Sequence, residues 1–232
     1  MSREQLRPLD ILKLIKEINH LTPLIKVDIK EASDKEKEED LKSFLFENLL
    51  IRTIAHYSVG DNKETVKTSL LETIPAFEEG FKWKGFKISY GGYDTMIWMV
   101  SLGVLCNIDL VDFKRITAII KRDGAKDKLL DFIIHSKQAD WPIQSDSYIQ
   151  KYPYKSLNPD SLSNASQIKR YLDKDWYQGH SDAYWHGIHK NTKVNNFFGY
   201  WSWEAAAIAK IKAIDDSELK DQLYYPYDAV NW

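Results

Sequence analysis

The sequence has little of what would assign an enzyme chemistry or a membrane location. Cys106 is the one cysteine among 232 residues, so neither a disulfide framework nor a CxxC metal site can form within the chain. It lies in the apolar run 96–106, which favours a buried structural thiol over a nucleophile. That run is shorter than the roughly 20 residues that a membrane-spanning helix needs. The N-terminal residues carry charges and no apolar signal-peptide core. We therefore expect a soluble cytoplasmic protein without a membrane partner.

The charge balance and the motif search exclude further classes. With 32 Lys and Arg against 34 Asp and Glu, the formal net charge is −2, whereas a general nucleic-acid binder normally carries a basic excess. The sequence has no GxSxG nucleophile elbow and no glycine-rich phosphate loop. It assigns no catalytic residue, cofactor site or metal site. We therefore predict a protein that is not an enzyme, needs no cofactor and does not bind nucleic acid.

Apolar residues recur at helical spacing along most of the chain, and strand-like alternation is nearly absent, so we predict an all-α, bundle-like fold. The first helix should follow Pro8, bury a stripe that includes Leu21, and end or kink at Pro23. A capping box is predicted for the second helix at Ser33 and Glu36. Further apolar stripes are predicted at Leu41, Phe44, Leu45 and Leu49, and at Val66, Leu70, Ile74 and Phe77.

The middle of the chain suggests a boundary between two domains. Residues 81–94 are predicted as a loop or short hairpin, and the apolar helix 93–106 should be central. Residues 141–161 contain three prolines and several serines, which is typical of a linker or hinge. We predict an N-terminal helical domain over 1–137 and a C-terminal aromatic-rich helical domain over 138–232, packed as one body.

The C-terminal quarter is unusually rich in aromatic side chains. Residues 171–232 contain five of the eight tryptophans, and the alanine-rich helix predicted over 203–214 follows three of them. Each large ring can bury about 150–250 Å² and often needs a hydrogen-bond partner. We predict that this stretch is a rigid packing unit that packs against the helix, with Trp185, Trp201 and Trp203 buried.

Three histidines of this stretch offer an alternative chemistry. His186 and His189 are three residues apart, and with His180 they could hold a metal ion, which would make the protein a metal-dependent hydrolase. A third hypothesis is a helical small-molecule binder whose pocket is lined by the aromatic side chains. We favour structural histidines and core packing over both alternatives, because Gly187 splits the pair and no HExxH motif occurs.

Two segments are acidic. Residues 28–40 contain seven acids and three lysines, and the other cluster follows the alanine-rich helix. Carboxylates at helix starts are favoured by the helix dipole, but either cluster could also face a basic partner. Glu38, Glu39 and Asp40 begin a helix, so we prefer the second cluster as a partner-binding surface: Asp215, Asp216, Glu218 and Asp221.

In its C-terminal region the chain resembles the PoNi family, the immunity proteins of PoNe-type polymorphic DNase toxins. The N-terminal half is similar to the companion domain of that family, chiefly through YDTMIWMVSLGVL over 93–105 and DKLLDFI over 127–133. The motif that carries the C-terminal resemblance consists of Trp176, Gly179, His180, Trp185, His189, Gly199, Tyr200, Trp201, Glu204, Tyr225, Pro226 and Asp228.

The resemblance implies an immunity protein, or antitoxin, that neutralises a cognate nuclease toxin by stoichiometric binding. It does not identify the residues that contact the toxin. We expect the aromatic motif to be the scaffold that fixes the fold, because an interface must diverge together with its partner.

Overall fold

The computed structural model describes residues 2–83 and 90–232, and the described chain is all-α, as predicted. Its helices are α1 (Pro8–Lys30), α2 (Lys35–Val59), α3 (Lys63–Gly80), α4 (Tyr90–Leu105), α5 (Leu110–Arg122), α6 (Lys128–His135), α7 (Ala165–Tyr171), α8 (Tyr177–Gly179), α9 (Trp203–Ile211) and α10 (Tyr227–Val230). Of the loop or hairpin predicted over 81–94, residues 84–89 lie outside the described residues, and residues 90–94 belong to α4, so that part of the prediction is wrong. Within the described ranges, no helix is both long and apolar enough to cross a bilayer.

Two compact units make up the chain. Unit 1 consists of Met1–Lys82 and Gly187–Tyr200, and unit 2 consists of Trp83–His186 and Trp201–Trp232. Each unit therefore combines distant stretches of sequence, and the aromatic motif contributes to both. The domain boundary after residue 137 falls inside unit 2 and stays a prediction.

In unit 1, α2 packs against both α1 and α3. The helices α2 and α3 approach closely at Gly80, where an added Cβ would lie 2.3 Å from the Lys42 carbonyl oxygen. Their contact is polar as well as apolar: the Thr53 hydroxyl lies 2.9 Å from the Ser69 hydroxyl and 3.2 Å from that of Thr73. The stripe of α3 from Val66 to Phe77 is buried as predicted. A small residue and paired hydroxyls therefore fix the distance between these helices.

Several predicted details of unit 1 are wrong. Helix α1 continues through Pro23 to Lys30, so that proline does not end the helix, and the alternative of a kink there stays a prediction. Leu21 and Phe44 are 38% and 47% exposed and do not belong to buried stripes. The N-cap of α2 is Asp34, whose side chain accepts from the Lys37 amide, so the cap lies one residue after the predicted Ser33 and Glu36 is not at the capping-box position. Neighbouring residues can compete for a cap, because any short oxygen-bearing side chain there can accept the free amides.

Unit 2 is built on α4, which is apolar and largely buried as predicted. It contacts α5, α6 and α9. The alanines of α9 are fully buried, and without bulky side chains they let α4 and α9 pack closely. Asp127 caps α6 by accepting from two of its amides, and it also accepts a 2.8 Å hydrogen bond from the Tyr93 hydroxyl of α4.

Two helix ends in unit 2 differ from the predicted ones. After α7 the chain continues through a π-helical turn (Leu172–Trp176) into α8, so the helical stretch extends beyond residue 174. Helix α9 ends at Ile211, and Ala213 adopts a left-handed conformation (φ 50°). That turn ends the helix before the acidic segment begins.

Candidate functional site

Most of the aromatic motif lies in unit 2, where it forms a buried core. Trp185, Trp201 and Trp203 are 2%, 9% and 1% exposed, which confirms the predicted burial. The rings of Trp176 and Trp185 stack with centroids 5.4 Å apart, and the His180 ring lies 5.0 Å from that of Trp185. The motif is therefore a rigid core in which large rings enclose an imidazole.

His180 belongs to a buried hydrogen-bond chain with Tyr154 and Asp94. Its Nδ1 lies 2.5 Å from the Trp176 carbonyl oxygen, which can only accept, so Nδ1 carries a proton. The Tyr154 hydroxyl donates to Asp94 Oδ1 at 2.5 Å and lies 2.9 Å from His180 Nε2. Because its one proton is used on Asp94, the hydroxyl accepts from Nε2. Both ring nitrogens then donate, which is the hydrogen-bond pattern of an imidazolium.

Electrostatics agree with that protonation state. Burial by itself lowers the pKa of His180, but the Asp94 carboxylate, helped by Glu204 and by the Trp176 carbonyl, outweighs burial and raises this pKa. The Trp185 indole N–H donates to the second oxygen of Asp94 at 3.3 Å. The chain is therefore a buried ion pair bridged by a phenol, and such a pair is stable when its hydrogen bonds are satisfied.

Glu204, at the first turn of α9, lies in a second buried cluster. Its Oε1 accepts from the Tyr171 hydroxyl at 2.9 Å and from the Ser202 hydroxyl at 2.7 Å. Among the described residues, Oε2 has no hydrogen-bond partner. Burial raises the pKa of this carboxyl, opposed by the Ser202 hydrogen bond and the charge of His180. The aromatic C-terminal stretch thus packs against α9, as predicted: Tyr171 bonds to Glu204 of α9, and α10 contacts the same helix.

Three other motif residues of unit 2, Gly179, Tyr225 and Pro226, are buried too. Gly179 lies where an added Cβ would be 2.7 Å from the Pro153 ring, so a side chain cannot fit there. Tyr225 is buried and its hydroxyl donates to Asp216 at 2.8 Å. Pro226 is buried before the first turn of α10, whereas Asp228 in that turn is exposed.

The remaining motif residues belong to unit 1. His189 Nδ1 lies 2.8 Å from the Tyr200 hydroxyl, and burial lowers the pKa of this histidine. The Tyr200 amide donates to a Glu4 carboxylate oxygen at 3.3 Å. Gly199 has φ 102°, a conformation that favours glycine. These contacts fasten Gly187–Tyr200 to the N-terminal residues of unit 1.

The three histidines do not form a ligand set. His180 is held by Tyr154 and Trp176, His186 packs on the Tyr177 ring at 4.2 Å, and His189 lies in unit 1 beside Tyr200. Over residues 2–83 and 90–232, no group of three or more His, Cys, Asp or Glu is arranged to hold a metal ion. The structure therefore gives no support to the metal-dependent hydrolase.

The predicted partner-binding residues do not all face solvent. Asp215, Glu218 and Asp221 are exposed, whereas Asp216 is buried beneath the Tyr225 hydroxyl. Hydrogen bonds from the Ser217 hydroxyl and amide lower the pKa of Asp215. The Ser166 hydroxyl of α7 donates to Glu218 at 3.1 Å. Three of the four predicted carboxylates are therefore exposed, and Asp216 is a buried structural residue.

The N-terminal acidic segment, residues 28–40, is partly neutralised within unit 1 at the start of α2. Glu38 pairs with Lys42 at 2.5 Å, and Glu39 pairs with Lys82 at 2.8 Å. The dipole of α2 favours further carboxylates in its first turn. These contacts account for Glu38 and Glu39 within unit 1, whereas Asp40 is exposed.

Two grooves of unit 1 bear on the small-molecule hypothesis. One, of 480 Å³, lies beside Arg52 and His56, and the other, of 850 Å³, lies between α1, α2 and α3. Neither is lined by Phe, Tyr or Trp among the described residues. Arg52 is already paired with Glu72 and Asn19. Neither groove is therefore the aromatic-lined ligand pocket of the small-molecule hypothesis.

Sequence reasoning identified His180 and Glu204 but missed their partners Asp94, Tyr154 and Tyr171. Asp94 had a detectable signal, since it is the one acid in the apolar stretch 93–106. A charge there is costly unless it is paired. Tyr154 had no such signal, because it lies in the proline-rich segment that resembles a linker.

Comparison with known proteins covers nearly the whole chain. Residues 10–118 match the family model described as "PoNe immunity protein (PoNi), N-terminal", and residues 125–229 match "PoNe immunity proteins (PoNi), C-terminal". No curated protein matches the sequence. Solved structures with a similar fold include protein PA2201 from Pseudomonas aeruginosa, at 15% identity and a TM-score of 0.72 over 99% of this chain and 89% of that chain. At that identity the likeness concerns the fold alone.

Proposed function

This chain belongs to the PoNi family of PoNe immunity proteins, and from that membership we propose that it neutralises a cognate nuclease toxin by forming a stoichiometric complex with it in the cytoplasm. The observation that carries the proposal is the match of both family domains, which together reach from residue 10 to residue 229. Binding alone is sufficient for this function, so it requires neither turnover nor a cofactor.

The internal bonding of the aromatic motif supports a binding function over a catalytic one. The ring nitrogens of His180 are used by Trp176 and Tyr154, and Glu204 is fully buried beneath Tyr171 and Ser202. A general acid or base must reach the proton that it transfers, within hydrogen-bond distance or through one water. Buried groups that bond to one another instead hold helices together.

For the toxin-binding surface we propose the exposed carboxylates Asp215, Glu218 and Asp221. A nuclease needs a positive groove to hold the phosphate backbone, and much of its non-specific DNA affinity comes from those charges. An acidic surface can occupy such a groove, with complementary charges that accelerate association. With a net charge of −2 the chain as a whole is no DNA mimic, so the acidity must act locally.

The test reverses the three exposed charges and leaves Asp216 intact, because a lysine beneath Tyr225 would disturb the fold. We expect the triple variant Asp215→Lys, Glu218→Lys and Asp221→Lys to stay folded, to bind the toxin more slowly and to protect cells less well. The matched control carries the same charge change at exposed acids of unit 1 outside both acidic segments: Glu17→Lys, Glu64→Lys and Glu79→Lys. Equal binding by the triple variant and the control at low salt would exclude this surface.

A further inference from the structure

The larger groove of unit 1 is a trough with an aliphatic floor. It has a volume of 850 Å³ and lies between α1, α2 and α3. Aliphatic side chains from all three helices line it: Ile29, Leu45, Leu49, Pro75 and Ala76. Leu45, Leu49 and Ala76 are at most 8% exposed and form the floor. The groove is called the aliphatic trough below, and its floor is available to an aliphatic ligand.

Ion pairs lie at both ends of the aliphatic trough. At one end, Lys42 pairs with Glu38 at 2.5 Å and lies 3.8 Å from Glu79. At the other end, Arg52 pairs with Glu72. Both cations belong to α2, where the ten residues from Lys42 to Arg52 correspond to roughly 15 Å of helix. The aliphatic floor lies between these pairs, so the trough is short and bounded at each end.

One long wall of the trough carries positive charge that no acid of the trough neutralises. Lys26 and Lys30 lie one turn apart on α1, and both are exposed. Neither forms a hydrogen bond or ion pair with another residue that the structure describes. The lining contains four cations and three acids, and each of those acids is paired with Lys42 or Arg52. The dipole of α1 favours a lysine in its last turn, which includes Lys30 but not Lys26.

We propose that the aliphatic trough binds a small anionic amphiphile, a single aliphatic chain that ends in a carboxylate. The chain lies on Leu45, Leu49 and Ala76, and the carboxylate meets Lys26 and Lys30. Ligand sites commonly have volumes of about 300–1,000 Å³ and combine apolar walls with a few polar groups that orient the ligand. The trough has this size and this division between an apolar floor and one cationic wall. The inference goes beyond the proposed function, because no toxin takes part in it.

The bounded ends and the unpaired lysines distinguish this ligand from other occupants. A partner helix lying along the trough would have to continue over the ion pairs at Lys42 and Arg52 and exclude water from them, which is costly. A short chain ends between them. A phospholipid carries two chains on one head group, so one chain would lie outside the trough. A cationic amphiphile would face Lys26 and Lys30 while the acids of the trough are already paired.

The experiment titrates the full-length protein with octanoate, decanoate and dodecanoate below their micelle concentrations, followed by isothermal titration calorimetry at low salt. Decyltrimethylammonium, with the chain of decanoate and a cationic head, is the head-group control. Two variants test the site: Lys26→Glu with Lys30→Glu, which reverses the wall, and Ala76→Leu, which fills part of the floor. The matched control, Lys13→Glu with Lys16→Glu, makes the same charge change at exposed lysines of α1 outside the trough. Folding is checked by thermal unfolding.

We expect one equivalent of decanoate to bind, with an affinity that rises about two- to fourfold for each methylene that the trough buries. Reversal of Lys26 and Lys30 should weaken decanoate binding about tenfold, and Ala76→Leu should weaken it as well, whereas the control variant should bind as the parent does.

Three results would each overturn the proposal: no saturable binding of any carboxylate in the series, equal binding of decyltrimethylammonium and decanoate, or binding by the Lys26 and Lys30 variant within twofold of the control variant. Vesicles of phosphatidylglycerol are tested in parallel by sedimentation. Binding to these vesicles without binding of decanoate would assign the lysine wall to a lipid surface and overturn the proposal too.

Discussion

Replacing Tyr154 by phenylalanine is the sharpest test of the buried chain in unit 2. The substitution keeps the ring and removes the hydroxyl that joins Asp94 to His180. Hydrogen bonds to charged groups contribute about 1.5–3 kcal/mol each. Two are lost, but Asp94 and His180 are 3.6 Å apart and can compensate in part by direct contact. We expect unfolding to become easier by about 3 kcal/mol, which lowers the Tm of a protein of this size by about 6–12 °C.

The assay is thermal unfolding followed by circular dichroism, with urea unfolding as a check. The matched control is Tyr148→Phe. The Tyr148 hydroxyl is buried in the same unit and has no hydrogen-bond partner among the described residues. Burial raises the pKa of Tyr148 to about 12, so that phenol is neutral as well. Its removal should leave the Tm unchanged or slightly higher. Equal Tm values for the two variants would show that the Tyr154 hydroxyl does not bridge the ion pair.

Three further predictions concern single buried positions of unit 2. Burial raises the pKa of Glu204 in the folded protein, which therefore retains a proton that the unfolded chain releases above about pH 4.3. The stability that comes from this retained proton is lost as the pH rises through the folded-state pKa. Glu204→Gln cannot titrate, and its stability relative to wild type should improve between pH 5 and pH 8, measured by urea unfolding; a constant difference would contradict this. Gly179→Ala forces a methyl group into the Pro153 ring and should cost about 1–3 kcal/mol, seen as a lower urea midpoint. Asp216→Ala leaves the Tyr225 hydroxyl without its acceptor and should lower the Tm with unchanged association kinetics, whereas slower toxin association without loss of stability would place Asp216 in the interface.

The fold class was predictable because helix formation leaves a local signal. Val66, Leu70 and Ile74 recur at helical spacing and are all fully buried. The same spacing misplaced Leu21 and Phe44, since periodicity gives the direction of an apolar face but not how far neighbouring helices cover it. Helix ends were also uncertain by a residue or more, because adjacent short polar residues can each cap a helix.

The buried chain could be predicted only in part, because its members are far apart in sequence. His180 and Glu204 stand in a dense motif, but Tyr154 precedes His180 by 26 residues and follows Asp94 by 60. No local pattern encodes such a meeting; it depends on how α4 packs within unit 2. The burial of Asp216 likewise follows from a turn that returns Tyr225 over it. Charge counting alone could not separate this acid from its exposed neighbours.

The most direct test of the central claim is a titration of toxin activity. A fixed amount of an active candidate nuclease toxin, well above the dissociation constant, is mixed with increasing amounts of this protein, and DNA cleavage is measured. Stoichiometric neutralisation predicts that cleavage falls linearly and ends at one equivalent of protein. Undiminished cleavage in excess protein would contradict the claim. Complete inactivation by a small fraction of an equivalent would also contradict it, because that result requires turnover.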